Sequence, residues 1–165
     1  MQASTLRDKT ILNTISTQPG IYKWYMSKDL AKALLVPIHE CDYTDGLGYF
    51  IYVGIAKNMQ QRLDWHVNQK HTQSTVKSGF LSTLRQTLSA LAQVPMDDDS
   101  TVNNIIDQMS VEFEICESKE EAESIEKETM KNYSLPLNIM HNKHPFVKEL
   151  KRLRSISKKK ATSKY

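Results

Sequence analysis

Two short runs, Gly20-Ile21-Tyr22-Lys23-Trp24-Tyr25 and Tyr49-Phe50-Ile51-Tyr52-Val53-Gly54, restrict the fold of this chain more than any other feature. Both are dense in aromatic and β-branched residues, which suit a pleated surface, and both are bounded by turn-forming sequence, so they read as paired strands. A third run alternates Val111, Phe113 and Ile115 with Glu112 and Glu114, the period of a strand with one solvated side. Between them, Leu81, Leu84, Leu88 and Leu91 share one face of a helix predicted over 79–93, ending before Pro95. Val102, Ile105, Ile106 and Met109 mark another helix. The expected fold is therefore α+β: a small antiparallel sheet of three strands, near 20–25, 49–54 and 110–116, flanked by helices.

One acid interrupts this pattern. Ser118 and Glu121 have the spacing of a capping box, which predicts a helix over 119–132. At about 100° per residue, Ala122, Ile125, Thr129 and Tyr133 form an apolar arc, while Glu120, Glu121, Lys127, Glu128 and Lys131 spread over the other side. Glu126 falls inside the apolar arc. A carboxylate there must be ion-paired, protonated or bound to a cation, because burying it bare costs several kcal/mol or more.

Candidate partners lie upstream. After Gly54, Asn58 with Gln61 three residues later opens a further helix, which sets Arg62 and His66 four apart on one face and turns Met59, Leu63 and Val67 to the core. Asn138 follows the turn Leu135-Pro136-Leu137. Taken singly, each residue has an ordinary structural reading: a buried tyrosine packs, a helix-face Arg or His is solvated, and an Asn after proline forms a turn. His39, His71, His141 and His144 lack partners at ligand spacing and read as local hydrogen-bonding groups, and Asp97-Asp98-Asp99 reads as a solvated loop.

Gly20-Ile21-Tyr22 after Pro19, Tyr52-Val53-Gly54, the arginine eight residues beyond that glycine, and the Glu126 helix followed by Pro136-Leu137-Asn138 together resemble the GIY-YIG nucleases over residues 18–140. The resemblance implies a metal-dependent endonuclease that hydrolyses DNA phosphodiester bonds. It implies Tyr22 as general base on a water, with His66 or Tyr52 orienting or deprotonating it, and Arg62 holding the scissile phosphate. Glu126 would carry one Mg2+ or Mn2+, and Asn138 would brace the glutamate or the substrate. Two departures stand out: Ile55 occupies the place where the excision-repair branch has a lysine, leaving Lys57 as the nearest cation for substrate, and the segment 26–48 exceeds the minimal connection. A nucleic-acid-binding module of the same fold with weak or lost catalysis is the alternative, and a protein-interaction domain whose aromatic strands are only core is a third reading.

Charge adds a location for substrate. Net charge is +3, but residues 143–165 hold nine Lys or Arg against one acid, +8, which leaves −5 for residues 1–142. The expected division is a nuclease domain over 1–142 and a basic C-terminal helix with a loose tail over 143–165. Pro145 opens that helix, Phe146, Leu150 and Leu153 give an apolar stripe opposite Lys148, Lys151 and Arg152, and the sequence beyond Ile156 reads as flexible; the basic terminus is either a solvated, frayed tail or an arm whose Lys148, Lys151 and Arg152 bind DNA phosphates. At 165 residues, 39% of them hydrophobic, with no long apolar span, no leader and two cysteines without CxxC spacing, the expectation is an intracellular, cytoplasmic protein, nucleoid-associated when bound to DNA. DNA is the expected partner, with no membrane and no small organic cofactor.

Overall fold

In the computed structural model, which describes residues 1–163, β1 (Gly20–Met26) lies at the centre of an antiparallel sheet ordered β2-β3-β1-β4, with β2 at Tyr43–Thr44, β3 at Gly48–Ala56 and β4 at Ser110–Ile115. The three expected strands are present, and a fourth joins them. β2 pairs only Tyr43 with Tyr49 and Thr44 with Gly48, and both of its residues are exposed, so no alternation announces it. The class is α+β, as the strand and helix patterns imply.

The register of β1 on β3 sets the positions that matter. Tyr22 stands opposite Gly54 and Trp24 opposite Tyr52, which puts Tyr22, Trp24 and Tyr52 on one side of the sheet. Between Trp24 and Tyr25 the register slips, because β3 carries one extra residue there. Ile51 and Tyr52 consequently both face the main core, while Phe50 and Val53 join Ile21, Tyr25, Ala122 and Leu135 on the opposite side. That second layer is covered by α7 (Lys119–Asn132). Ser118 Oγ caps α7 by accepting from the Glu121 N–H at 3.1 Å, and the Glu121 carboxylate accepts from the Glu117 N–H at 2.6 Å, so the expected box closes one residue early.

On the Tyr22 side sit α3 (Met59–Asn68), α4 (Gln73–Ser78), α5 (Thr83–Leu91), α6 (Asp99–Ile106) and α8 (Phe146–Thr162). Asn58 caps α3 by accepting from the Gln61 N–H, as its spacing implies. The helix expected over 79–93 is the shorter α5, capped by Ser82, and Gly79, whose φ of +73° suits a residue without Cβ, instead ends the preceding α4. The four expected leucines are core, but α4 has only Val76 to bury and so carries no periodic signal. The segment between β1 and β3 holds α2 (Lys28–Ala33) and packs inward through Leu30, Ala31, Leu34 and Val36. Ahead of β1, a short 3-10 turn (Ala3–Arg7) and α1 (Lys9–Leu12) bury Ala3, Leu6 and Leu12.

Two expectations about polar segments need correction. Asp97-Asp98-Asp99 is not simply a solvated loop: Asp98 caps α6 by accepting from the Thr101 N–H, and Asp99 pairs at 2.7 Å with Arg85. Nor does the chain loosen beyond Ile156. Helix α8 continues through Thr162 because Ser157 and Ala161 are buried: Ser157 accepts from the Met96 N–H and donates to the Val94 carbonyl, and Ala161 packs with Val76, Leu81 and Met96. Lys164, the remaining lysine of the expected tail, lies outside the described residues.

Arg85 is the polar centre of the helical layer. Fully buried, it donates to the carbonyls of His66 and Val67 at the end of α3, to His71 Nε2, to Asp99 and to the Asn103 side chain. Removing one partner of a buried pair strands the others. Arg85→Ala is therefore expected to lower the unfolding free energy by about 3 kcal/mol, the low end of that range because Asp99 keeps some solvent access. The denaturant midpoint at unchanged slope measures it, and a loss below about 1 kcal/mol would contradict the central role of Arg85.

Candidate active site

The two tyrosines meet because their strands do. Diagonal neighbours on one side of an antiparallel pair come within reach of each other. The Tyr22 and Tyr52 rings lie 6.4 Å apart and 28° from parallel, both buried. Gly54 makes room for this: a Cβ there would fall 2.4 Å from the Tyr22 hydroxyl and 2.6 Å from Cζ. Gly20 answers a different constraint, since a Cβ on it would fall 2.2 Å from the Glu114 carbonyl on β4. The two glycines of the signature thus mark close approaches, one to the phenol and one to the neighbouring strand.

Helix α3 brings His66 and Arg62 to the same end of the sheet. His66 is 1% exposed, and its ring packs edge-on against Tyr22 at 4.9 Å and Trp24 at 5.6 Å. Nδ1 shares a 2.6 Å hydrogen bond with Ser82 Oγ, while Nε2 is buried with no protein partner. Burial first, then the positive charges of Arg62 and Arg85, push its pKa down to about 3. His66 is thus a neutral imidazole at physiological pH, able to orient a proton but not to hold one. Arg62 is half-buried, with its guanidinium 5.5 Å from the Trp65 ring centre, and no carboxylate ion-pairs with it among the described residues.

Glu126 approaches from α7. It is half-buried, makes no ion pair among the described residues, and acts electrostatically on both Tyr22 and Tyr52. Burial, then the charge of Glu123, raises its pKa above the ordinary carboxylate value. The anomaly in the helix pattern is therefore a carboxylate beside the tyrosines rather than in open solvent. Such a group fits a hard cation, whose charge offsets both causes of the shift. No cluster of three or more His, Cys, Asp or Glu side chains forms a ready cage among the described residues, so one carboxylate with water and phosphate oxygens is the arrangement the donors suit.

Burial, more than these charges, sets how readily each phenol ionises. Burial, the neighbouring Tyr52 and the charge of Glu126 hold Tyr22 well above 10, against the opposing pull of Arg62. Tyr52 is raised by burial and Glu126 to about 12, eased by Tyr22, Arg62 and Arg154. Arg62 favours both phenolates, as a general base requires, but burial outweighs it.

The remaining expected residues divide. Asn138 is buried with its amide engaged at both ends: its oxygen accepts from the Val53 N–H at 2.9 Å and its nitrogen donates to the Val53 carbonyl at 2.7 Å. It thereby closes the edge of β3 that the short β2 leaves open. Ile55 packs partly buried in the layer under α7, and Lys57 is exposed with its charge bearing on Glu123. Lys148, Lys151 and Arg152 are exposed on α8, and Arg152 makes two hydrogen bonds to Glu149 at 2.6 and 2.7 Å.

Arg154 escaped the sequence reading. It lies on the inner arc of α8 with Val147, Leu150, Ser157 and Ala161, donates to Gln86 Oε1 at 2.5 Å, and acts on Tyr52. The signal that reveals Glu126, a charge on an apolar arc, was present here as well. Ser82 and Gln86, one turn apart on the α5 side, hold His66 and Arg154 respectively, and nothing in their local pattern distinguished them.

Comparison with curated proteins and with solved structures returns no match. Among known families, residues 20–156 match the GIY-YIG catalytic domain, an interval that holds both glycine-tyrosine signatures, Arg62, His66, Glu126 and Arg154. With that match over most of its length and the tyrosine pair, arginine and glutamate gathered at one end of the sheet, the chain belongs to the GIY-YIG family of nuclease-type catalytic domains.

Proposed function

We propose that this protein is a metal-dependent endonuclease that hydrolyses DNA phosphodiester bonds, using Tyr22, Tyr52, Arg62, His66 and Glu126. The observation that carries the reading is that Arg62 and the half-buried Glu126, neither ion-paired among the described residues, act with opposite charge on the same two buried phenols. A phosphate diester is an anion that needs a cation on its oxygens, a base for the attacking water and positive charge at the departing oxygen.

Arg62 binds the non-bridging oxygens of the scissile phosphate, and Arg154 adds a second positive charge beside Tyr52. Water attacks phosphorus and gives its proton to the Tyr22 phenolate, the bond to the 3′ oxygen breaks, and that oxygen leaves with the electron pair and takes a proton from solvent. His66, bonded through Nδ1 to Ser82 and packed edge-on against Tyr22, orients the proton passed to Tyr22. Glu126 would hold one Mg2+ or Mn2+, which when bound offsets the carboxylate charge and supplies positive charge to the leaving oxygen. Exposed Lys57, Lys148 and Lys151 attract the flanking phosphates. DNA is thus the partner this reading requires.

Nicking of supercoiled plasmid with added Mg2+ or Mn2+ is the direct assay, and it separates a nuclease from a module that only binds. Glu126→Ala and Tyr22→Phe are each expected to lower the cleavage rate by about 10²–10⁴-fold, with DNA binding in chelator kept. Full cleavage by either variant contradicts the roles assigned. Arg154→Gln is expected to raise KM more than it lowers kcat; a change confined to kcat would remove Arg154 from phosphate binding.

The pH profile carries a sign. Both phenols ionise above the ordinary tyrosine value, so the phenolate fraction, and with it kcat/KM, is expected to climb with pH through the neutral and mildly alkaline range. His66 is neutral down to about pH 3 and contributes no inflection near pH 6.5. A plateau above an inflection near 6.5 would transfer the base to an ordinary histidine.

A further inference from the structure

Beside Arg62 the surface changes character. Trp65 lies one turn further along α3, under the Arg62 guanidinium, and its ring meets Phe80 edge-on at 4.9 Å. Phe80 is 58% exposed, although the loop presenting it is held firmly. The Gln69 side chain donates to the Phe80 carbonyl at 3.0 Å and accepts from the Ser82 N–H at 2.8 Å, clamping the backbone on both sides of Leu81. Ser82 in turn touches His66. A phenylalanine on a clamped loop, against a second ring that itself lies under a cation with no carboxylate ion pair among the described residues, is poorly explained by packing alone.

We infer that Trp65 and Phe80 form a stacking platform for an unpaired nucleobase adjacent to the scissile phosphate, so that the preferred substrate carries a single-stranded, bulged or branched nucleotide at the cut. The inference rests on Arg62 binding that phosphate, as proposed above. Phosphate and base of one nucleotide stand a sugar apart, comparable to the 5.5 Å between the Arg62 guanidinium and the Trp65 ring. Within a paired duplex the faces of the bases are covered by their neighbours, and only an unpaired base offers one to a side chain. Aromatic faces accept any base, so the platform selects DNA structure rather than sequence. Arg62, without an ion-pair partner among the described residues and lying over Trp65, whose ring meets Phe80, matches an anionic ligand with a flat apolar part, and an ordinary apolar protein surface would leave that charge unanswered.

Equilibrium binding without divalent ions tests this, with fluorescently labelled oligonucleotides: a blunt duplex, the same duplex with a one-nucleotide bulge, and the bulge with its base removed. Wild-type protein is expected to prefer the bulged duplex, and an abasic bulge to lose that preference. Phe80→Ala is expected to weaken binding of the bulged duplex by about 5- to 100-fold, the range for loss of one stacked base, while blunt-duplex binding stays within about twofold. Phe80→Tyr, which keeps the ring, retains the preference. Equal losses on all three ligands, no loss, or an altered oligomeric state in Phe80→Ala would overturn the platform, the last by assigning the patch to a second copy of the chain. Read beside the separate plasmid-nicking assay, an inactive wild type with intact bulge preference refutes only the nuclease reading. Active cleavage with no effect of Phe80→Ala refutes only the platform.

Discussion

The close approach of the Tyr22 phenol to Gly54 organises this end of the molecule. It requires β1 and β3 to pair in one register, Tyr22 opposite Gly54 and Trp24 opposite Tyr52, and it requires a residue without Cβ on β3. A slip of one residue would turn Tyr22 into the layer under α7 and carry Tyr52 away from it. The extra residue at Ile51 settles the rest of β3, sending Phe50 and Val53 to α7 and Ile51 and Tyr52 to the main core. Sheet register and site geometry are consequently one constraint, and Asn138 reinforces it by holding Val53 from the open edge.

Behind the tyrosines stands a second tier of polar groups. Ser82 fixes His66, Gln86 holds Arg154, and Arg85 gathers the end of α3 with His71, Asp99 and Asn103. Burial keeps His66 neutral, with Arg62 and Arg85 adding to the effect. The electrostatics pull in opposite directions across the site: Arg62 and Arg154 favour phenolate, whereas burial and Glu126 oppose it. Burial leads the causes that hold both phenols protonated, and the charge of Glu126 adds to it.

Much of the frame was legible because its signals are local and periodic. The three long strands, the caps at Asn58 and Ser118 and the helix over 119–132 follow from alternation, turn residues and capping spacing. Legibility failed where burial is not periodic. The two-residue β2 and the polar α4 offer no pattern, and Gly79, placed at the start of a helix, in fact terminates one. Helix α8 was expected to fray after Ile156 because its last turns are rich in lysine, yet the small residues Ser157 and Ala161 dock those turns on their neighbours. Arg154 went unnoticed in a run of cations of which only the helix phase distinguishes it.

What the sequence determined by itself is the set of residue types and their order: two glycine-tyrosine strands, an Arg and a His four apart on a helix, and one acid on an apolar arc. Each is specified by neighbours a few positions away, through pleat, helix turn or cap. Tertiary structure alone decided which of them lie together, that Asn138 spends its amide on Val53, that Arg154 acts on Tyr52 while Ser82 holds His66, and that Phe80 meets the Trp65 ring under Arg62. Those contacts link residues far apart in the chain, and packing of whole elements, rather than any local preference, sets their distances.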